Sequence, residues 1–466
     1  MTASHRRPLT AWVVTALLAA GCAAAGAWAV PAWQEAQDLR EASVAPDITA
    51  SPVAVTEAGT GAAPDSAALS TELDSVLDGL GQGVFSAQVL DAETGQSIYS
   101  REAQTSRTPA SNMKLLVDYA LLTTAPQARF TTSVDLNDDS TLTLVAGGDT
   151  LLVPGHSDPT AVMGHAGIET LAERTIEGLK EQGISGKALT LNLDTTIFSG
   201  SSLNPEWAQE DIDSGFISAV TPLAFYSHYS PTSDGTASSG SRPSNAPAEV
   251  QQVLVEALNR LGTDAGLTFT AGEQVTAPSS GREIAAVQSA TAAEQSALMM
   301  QETDNSLAET LGRNLSTLTG GDGSSQGAIT AVREALSAAG LPTNYTQMDL
   351  SGLSMNNKVS NELLTSIALR AVNGNTTERL TLQGLPVAGY SGTLGLASRF
   401  NDADEAGGRG VVRAKTGTLN SVLSLTGYTV TESGRVVVFS IIMNDLDDTE
   451  AAKNTIDRFA AALSNR

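Results

Sequence analysis

The chain has 466 residues, 41% hydrophobic and 17% charged, which describes a globular protein long enough for more than one domain. Its 26 basic against 51 acidic side chains give a net charge of −25, and only 4% are aromatic. That balance excludes the basic stripe and the base-stacking platform of a nucleic-acid binder, and we read the acidity as solubility.

In chain order, His5, Arg6 and Arg7 precede an uncharged stretch from Pro8 to Gln34 that includes Ala11–Ala29, rich in Ala, Val and Leu. Positive charge, an apolar core and the small-x-small run Ala27-Trp28-Ala29 read as an export signal over residues 1–34. Residues 9–33 would also serve as an anchor in the cytoplasmic membrane, since a span needs about 20 residues. Cleavage and retention both stay open, and in both the basic flank places the body outside the cytoplasm. The only cysteine, Cys22, lies in this segment, so the exported body has no disulfide, thiolate nucleophile or cysteine metal site. Residues 35–69, rich in Ala, Pro, Thr, Ser and Asp without periodicity, read as a flexible tether.

Thr71–Leu80 has apolar residues near helical spacing, and Val84–Leu90 with Gln96–Tyr99 reads as a hairpin turning at Gly95. Thr108-Pro109-Ala110 marks a helix start, and the apolar residues Leu115, Leu116, Tyr119, Ala120 and Leu121 extend it. Residues 131–289 change texture. They hold β-rich runs at Thr131–Leu136, Thr141–Ala146 and Ala188–Leu193, a helical pattern around Ile168–Gln182, and an expected exposed loop at Ser227–Pro247. We expect one or two inserted modules here, dividing a body made of residues 70–130 and 290–466. Helical patterns return at Ala292–Met300, Leu307–Leu318, Ala328–Ala339 and Glu362–Val372. Two β-runs follow, Val422–Val430 and Val436–Met443, and then a closing helix from Thr449 with Ile456, Phe459, Ala460 and Leu463 at i, i+3, i+4, i+7.

Three clusters carry chemistry. Ser111 and Lys114 stand three apart, so on a helix they share a face. A serine hydroxyl needs a base to become a nucleophile, and a buried lysine near other cations can be neutral enough to serve. Thr303-Asp304-Asn305, between two helical segments, supplies a hydroxyl and a carboxamide. Lys415-Thr416-Gly417-Thr418 lies on or beside a strand whose edge offers backbone N–H groups, with Gly417 allowing close approach. Lys415 is expected to help keep Lys114 deprotonated and to attract a carboxylate.

In that order the clusters resemble the S-x-x-K, S-x-N and K-T-G fingerprint of the active-site-serine penicillin-recognising enzymes. The run Arg107–Asn112, the long insertion before the second cluster, and Thr303–Glu309 narrow the likeness. So do Asp349–Ser354, Leu385–Gly389 with Gly392–Leu394, Phe198–Gly200 and Pro205-x-Trp207. From about residue 80 onward the chain resembles the class C D-alanyl-D-alanine carboxypeptidases of the penicillin-binding protein 4 type.

The resemblance implies an α/β (α+β) transpeptidase-like domain, an antiparallel sheet flanked by helices, with an inserted mainly-β module. It implies peptidoglycan stem peptides as substrate, β-lactams as inhibitors, no metal or organic cofactor, and a place on the cell-wall side. By it, Ser111 attacks, Lys114 takes the proton, the N–H groups of Ser111 and Thr418 hold the oxyanion, and Thr303 passes a proton to the leaving amine. Asn305 holds the peptide, Lys415, Thr416 and Thr418 bind the terminal carboxylate, and Asp211 matches an acidic position associated with the stem-peptide side chain. Thr303 departs from the family's Ser, and Met355 from its frequent Arg. Glu309 and Arg313 are expected as an i, i+4 ion pair, and Lys358 as a solvated surface group. A β-lactamase-like hydrolase and a non-catalytic peptidoglycan-binding homologue remain as alternatives.

Overall fold

A computed structural model describes residues 61–465 except 234 and 239. The export or anchor segment and most of the expected tether lie outside the described residues. The first element, α1 (Ser66–Asp78), starts inside the stretch expected as tether, because the Asp65 carboxylate accepts the N–H groups of Ala67 and Ala68 and nucleates the turn. Then come β1 (Val84–Asp91), β2 (Ser97–Arg101), a 3-10 turn over Ala110–Met113, and α2 (Lys114–Thr124). The middle of the chain forms β3 (Thr131–Asp138), β4 (Thr141–Val145), β5 (Asp149–Leu152), α3 (Ile168–Glu181), β6 (Ala188–Asp194), α4 (Gln209–Asp213), β7 (Leu223–Phe225), α5 (Ala246–Leu261), β8 (Thr268–Gln274) and β9 (Arg282–Gln288). The last part gives α6 (Ala292–Glu302), α7 (Asn305–Leu318), α8 (Ser325–Ala338), α9 (Asn361–Asn373), β10 (Arg413–Leu419), β11 (Val422–Val430), β12 (Val436–Asn444) and α10 (Thr449–Ser464).

The first sheet is antiparallel, in the order β10-β11-β12-β1-β2. Every residue of β12 is buried, and its two faces feed two cores. Val436, Val438 and Ile442 join the cluster built on α2 and α6–α9, while Val437, Phe439, Ile441 and Met443 join that of α1 and α10. A strand's period of two divides the side chains this way, and a strand covered on both sides reads as an unbroken apolar run. The second sheet, β8-β6-β4-β3-β9, is mixed: β3 runs antiparallel to β4 and β9, and β6 parallel to β4 and β8.

Two helices, α3 and α5, pack on this second sheet. The expected loop at Ser227–Pro247 runs into a helix where the sequence pattern places none between residues 248 and 289. In the structure Asn245 caps α5 by accepting the Ala248 N–H, Pro247 sits in its first turn, and Val250, Leu254, Val255 and Leu258 are buried. That apolar spacing was readable and was masked by the Ser/Pro-rich approach. Ser227 and His228, also placed in the exposed loop, are fully buried. A small apolar cluster of Trp207, Ile217, Val220 and Leu353, with Ile212 and Leu419 against it, seats the segment around α4 beside the loop after Ser351 and the end of β10. Among the described residues no helix is long and apolar enough to cross a membrane.

Candidate active site

Ser111 lies in the 3-10 turn, not in the helix expected from its spacing, and Lys114 opens α2. Residues i and i+3 eclipse in a 3-10 turn, so the two side chains still meet. Lys114 Nζ donates to Ser111 Oγ at 3.0 Å, to Asn305 Oδ1 at 2.7 Å and to the Ser351 carbonyl at 2.6 Å. The side chain is wholly buried, and burial pushes its pKa down to about 8, against the nearby carboxylates of Asp349, Asp304 and Glu309. Lys415, also wholly buried, is held well below the ordinary lysine range by burial and then by the charge on Lys114. Desolvation, rather than the expected push from Lys415, is thus the main cause at Lys114.

Thr303 ends α6 with φ 54°, in the left-handed region that a β-branched residue enters only under strain. Asp304 then caps α7, its carboxylate accepting the Leu307 N–H, so Asn305 projects from the helix start. Thr303 Oγ1 accepts a hydrogen bond from Lys415 Nζ at 2.9 Å. Asn305 Nδ2 donates to the Phe216 carbonyl at 3.0 Å, which fixes which end of the amide faces Lys114.

β10 is an edge strand of its sheet. Ala414 N–H donates away from β11, to the Pro386 carbonyl at 3.0 Å. Alternation along the strand therefore turns the N–H groups of Thr416 and Thr418 to the same outer side. Thr418 is exposed, and Thr416 Oγ1 shares a hydrogen bond with Thr393 Oγ1 at 2.7 Å. A side chain at Gly417 would collide with Ser424 Oγ and come within 2.6 Å of the Pro109 carbonyl, so only glycine lets β10 pack on the Ser111 turn. Ser424 pins that turn by donating to the Pro109 carbonyl at 2.6 Å and accepting from Asn112 Nδ2.

The loop carrying Ser351 is held by two buried carboxylates. Glu309 Oε1 accepts the N–H groups of Leu350 and Ser351, both at 2.9 Å. Asp349 accepts from the N–H groups of Gly352 and Ser354, from Asn357 Nδ2 and from Trp207 Nε1. Burial, helped by Asp349, pushes Glu309 up to about 7. The expected Glu309–Arg313 ion pair is replaced by this backbone grip, while buried Arg313 donates to the Ser201 carbonyl at 2.7 Å. Lys358 is half-buried and donates to Thr108 Oγ1 at 2.6 Å rather than standing in solvent. Met355 is 47% exposed.

Ser111, Lys114, Thr303, Asn305, Lys415, Thr416 and Gly417 thus meet in one place. Asp211 lies on α4, within electrostatic reach of Asp349, and its backbone carbonyl accepts the Phe216 N–H at 2.9 Å. Its carboxyl is pushed up by burial and then by Glu210 and Asp349, and among the described residues no hydrogen bond ties it to the Ser111 group. Sequence reasoning missed the carbonyls of Ser351 and Phe216, because a backbone acceptor leaves no mark in a sequence. It missed Glu309's grip by assigning that residue to an ion pair.

The three donated bonds belong to the ammonium form; once deprotonated, the Lys114 amine has two N–H donors and one lone pair. Asn305 Oδ1 and the Ser351 carbonyl accept the two N–H bonds, which leaves the Lys114 lone pair for the Ser111 hydroxyl. The arrangement can remove a proton from Ser111 without a metal or histidine.

Residues 69–258 and 231–465 match the family profile described as D-Ala-D-Ala carboxypeptidase 3 (S13). A carboxypeptidase of Mycobacterium tuberculosis is 33% identical over 87% of this chain and 86% of its own length. The carboxypeptidase DacB of Mycolicibacterium smegmatis is 32% identical over 90% of this chain and 88% of its own length. The crystal structure of penicillin binding protein 4 from Haemophilus influenzae shares the fold with TM-score 0.66 at 19% identity, covering 86% of this chain and 98% of that one. With the profile spanning both halves of the sequence around the Ser111–Lys114 pair, the chain belongs to the D-Ala-D-Ala carboxypeptidase 3 (S13) family.

Proposed function

We propose that this chain is an exported serine-type D-alanyl-D-alanine carboxypeptidase that trims peptidoglycan stem peptides through an acyl-enzyme on Ser111. The observation that carries the reading is the buried Lys114 amine, 3.0 Å from Ser111 Oγ and with its pKa pushed down to about 8. Family membership and the carboxypeptidase relatives support it.

Lys114 takes the hydroxyl proton as Ser111 Oγ bonds to the carbonyl carbon between two D-alanines. The oxyanion meets the N–H groups of Ser111 and Thr418, a donor of this kind contributing about 2.7–4 kcal/mol. The C–N bond breaks, and the leaving amine receives a proton through Thr303 Oγ1. The terminal carboxylate lies against Lys415, Thr416 and Thr418, and its arrival favours the charged form of Lys415. Asn305 holds the peptide, and Asp211 faces the stem-peptide side chain. Water then releases the peptide from Ser111. The same chemistry on a cross-link amide gives endopeptidase activity, and a β-lactam in place of the peptide leaves a slowly hydrolysed acyl group. The body works on the cell-wall side, secreted or held by residues 9–33.

Fluorescent penicillin with wild type, Ser111→Ala and Lys114→Ala tests this, together with D-alanine release from a stem pentapeptide. Wild type should label persistently and release D-alanine, Ser111→Ala should do neither, and Lys114→Ala should acylate about 10²–10⁴-fold more slowly. Label on Ser111→Ala, or no D-alanine release by wild type, would sink the reading. Rapid turnover of penicillin would favour a β-lactamase.

A further inference from the structure

The Lys114 lone pair points at Ser111 only while Asn305 keeps its oxygen, and not its NH₂, toward Lys114. The Phe216 carbonyl enforces that orientation by accepting from Asn305 Nδ2 at 3.0 Å. The segment is anchored on its own side, since the Phe216 N–H donates to the Asp211 carbonyl at 2.9 Å and Ile217 is buried, but neither contact ties it to the start of α7. The holding group comes from further along the chain. Arg242 Nε donates to the Gly215 carbonyl at 3.0 Å, on the residue before Phe216. Arg242 Nη1 donates to Ser306 Oγ at 3.1 Å, on the residue after Asn305. One planar guanidinium therefore bridges the residue before Phe216 and the residue after Asn305, the neighbours of the Phe216–Asn305 bond.

Arg242 is itself fixed. Its guanidinium lies 3.8 Å from the centre of the Tyr229 ring, and Nη1 also donates to the Ser227 carbonyl at 2.9 Å. Stacking and a rigid fork of donors are properties of arginine that lysine lacks.

We propose that Arg242 is a positioning residue for the acylation step. It clamps the Gly215–Phe216 segment to the start of α7, so that Asn305 presents Oδ1 to Lys114 and the amine's lone pair stays on the Ser111 hydroxyl. Released from the clamp, the Asn305 amide can turn its NH₂ toward Lys114. That removes one of the two acceptors and lets the amine rotate away from Ser111. The assignment rests on the serine acyl-transfer reading above.

The test is the first-order acylation rate of the full chain by fluorescent penicillin, measured by stopped flow for wild type, Ser111→Ala, Arg242→Ala and Arg242→Lys. The rate constant reports only molecules that react, so a partly unfolded variant loses amplitude rather than rate. Arg242→Ala should acylate about 10–100-fold more slowly, the scale of a misplacement near 1 Å. Added guanidinium at tens of millimolar should restore part of that rate, and Arg242→Lys should stay slow in its absence. A wild-type rate constant in Arg242→Ala, at any amplitude, would overturn the proposal, as would a slow rate that guanidinium does not raise. Wild type that fails to label through Ser111 would instead overturn the underlying reading and this proposal with it.

Discussion

The protonation of one amine decides whether Ser111 is a nucleophile. Burial lowers Lys114 to about 8, so the free base grows as pH rises toward that value. The penicillin acylation rate should therefore climb with pH and level off above about 8, and a rate–pH profile from 5 to 10 checks it. Glu309 acts on the same amine in two ways. Its Oε1 holds the N–H groups that set the Ser351 carbonyl, and its negative charge favours the ammonium form of Lys114. Glu309→Gln keeps an acceptor and removes the charge, so the acid limb should move to lower pH, by about 0.5–1 unit. A limb unmoved by the substitution would show that the carboxylate is not felt at Lys114. Ser111 and Lys114 were legible because their chemistry and spacing are written in side chains. The carbonyls that direct the amine, at Ser351 and Phe216, were not, because their position depends on loops brought together from distant parts of the chain.

At the level of elements, the cleft is the space between a strand edge and a helix junction. β10 is covered at the start of its outer edge by the Pro386–Val387 segment and turns the Thr416–Thr418 part to the site, and the α6–α7 junction sets Thr303 and Asn305 against it. At Gly417 this wall has no room for a side chain, because the residue faces Ser424 and the Pro109 carbonyl. Gly417→Ala should push β10 off the Ser111 turn, slow acylation by about 10²-fold, and lower stability by about 1–3 kcal/mol. Acylation kinetics and denaturant unfolding of the one variant measure both, and an unchanged rate would mean that the strand can shift without moving the N–H of Thr418. β11 and β12 were readable as strands because their apolar runs are continuous, and α7 because its periodic face starts after Asp304. The Ser111 turn was read as helix, since a 3-10 turn and the first turn of an α-helix have the same sequence signs.

Over the whole molecule, buried titratable groups impose opposing pH responses. Asp118, Asp149 and Glu309 are buried carboxyls pushed up to about 6, 7 and 7, mainly by desolvation. Each folded pKa lies above its unfolded value near 4, so between those values the native state holds a proton that the unfolded chain has released. Their contribution to stability falls as pH rises across that window. His228 has the other sign: burial and then Arg242 depress it to about 3, so the native imidazole stays neutral and stability is lost as pH drops below about 6.5. Asp149 isolates the first effect, because it is buried on β5, away from Lys114's contacts, with Oδ1 accepting the Leu151 N–H. Asparagine keeps that acceptor and cannot ionise. Asp149→Asn and wild type should melt close together at pH 4 and separate by pH 8, with the variant higher by several degrees, at about 1 °C per kcal/mol for a chain of this length. Calorimetry at both pH values decides it, and a gap of equal size at each would mean that the carboxyl at this position is not protonated in the folded protein.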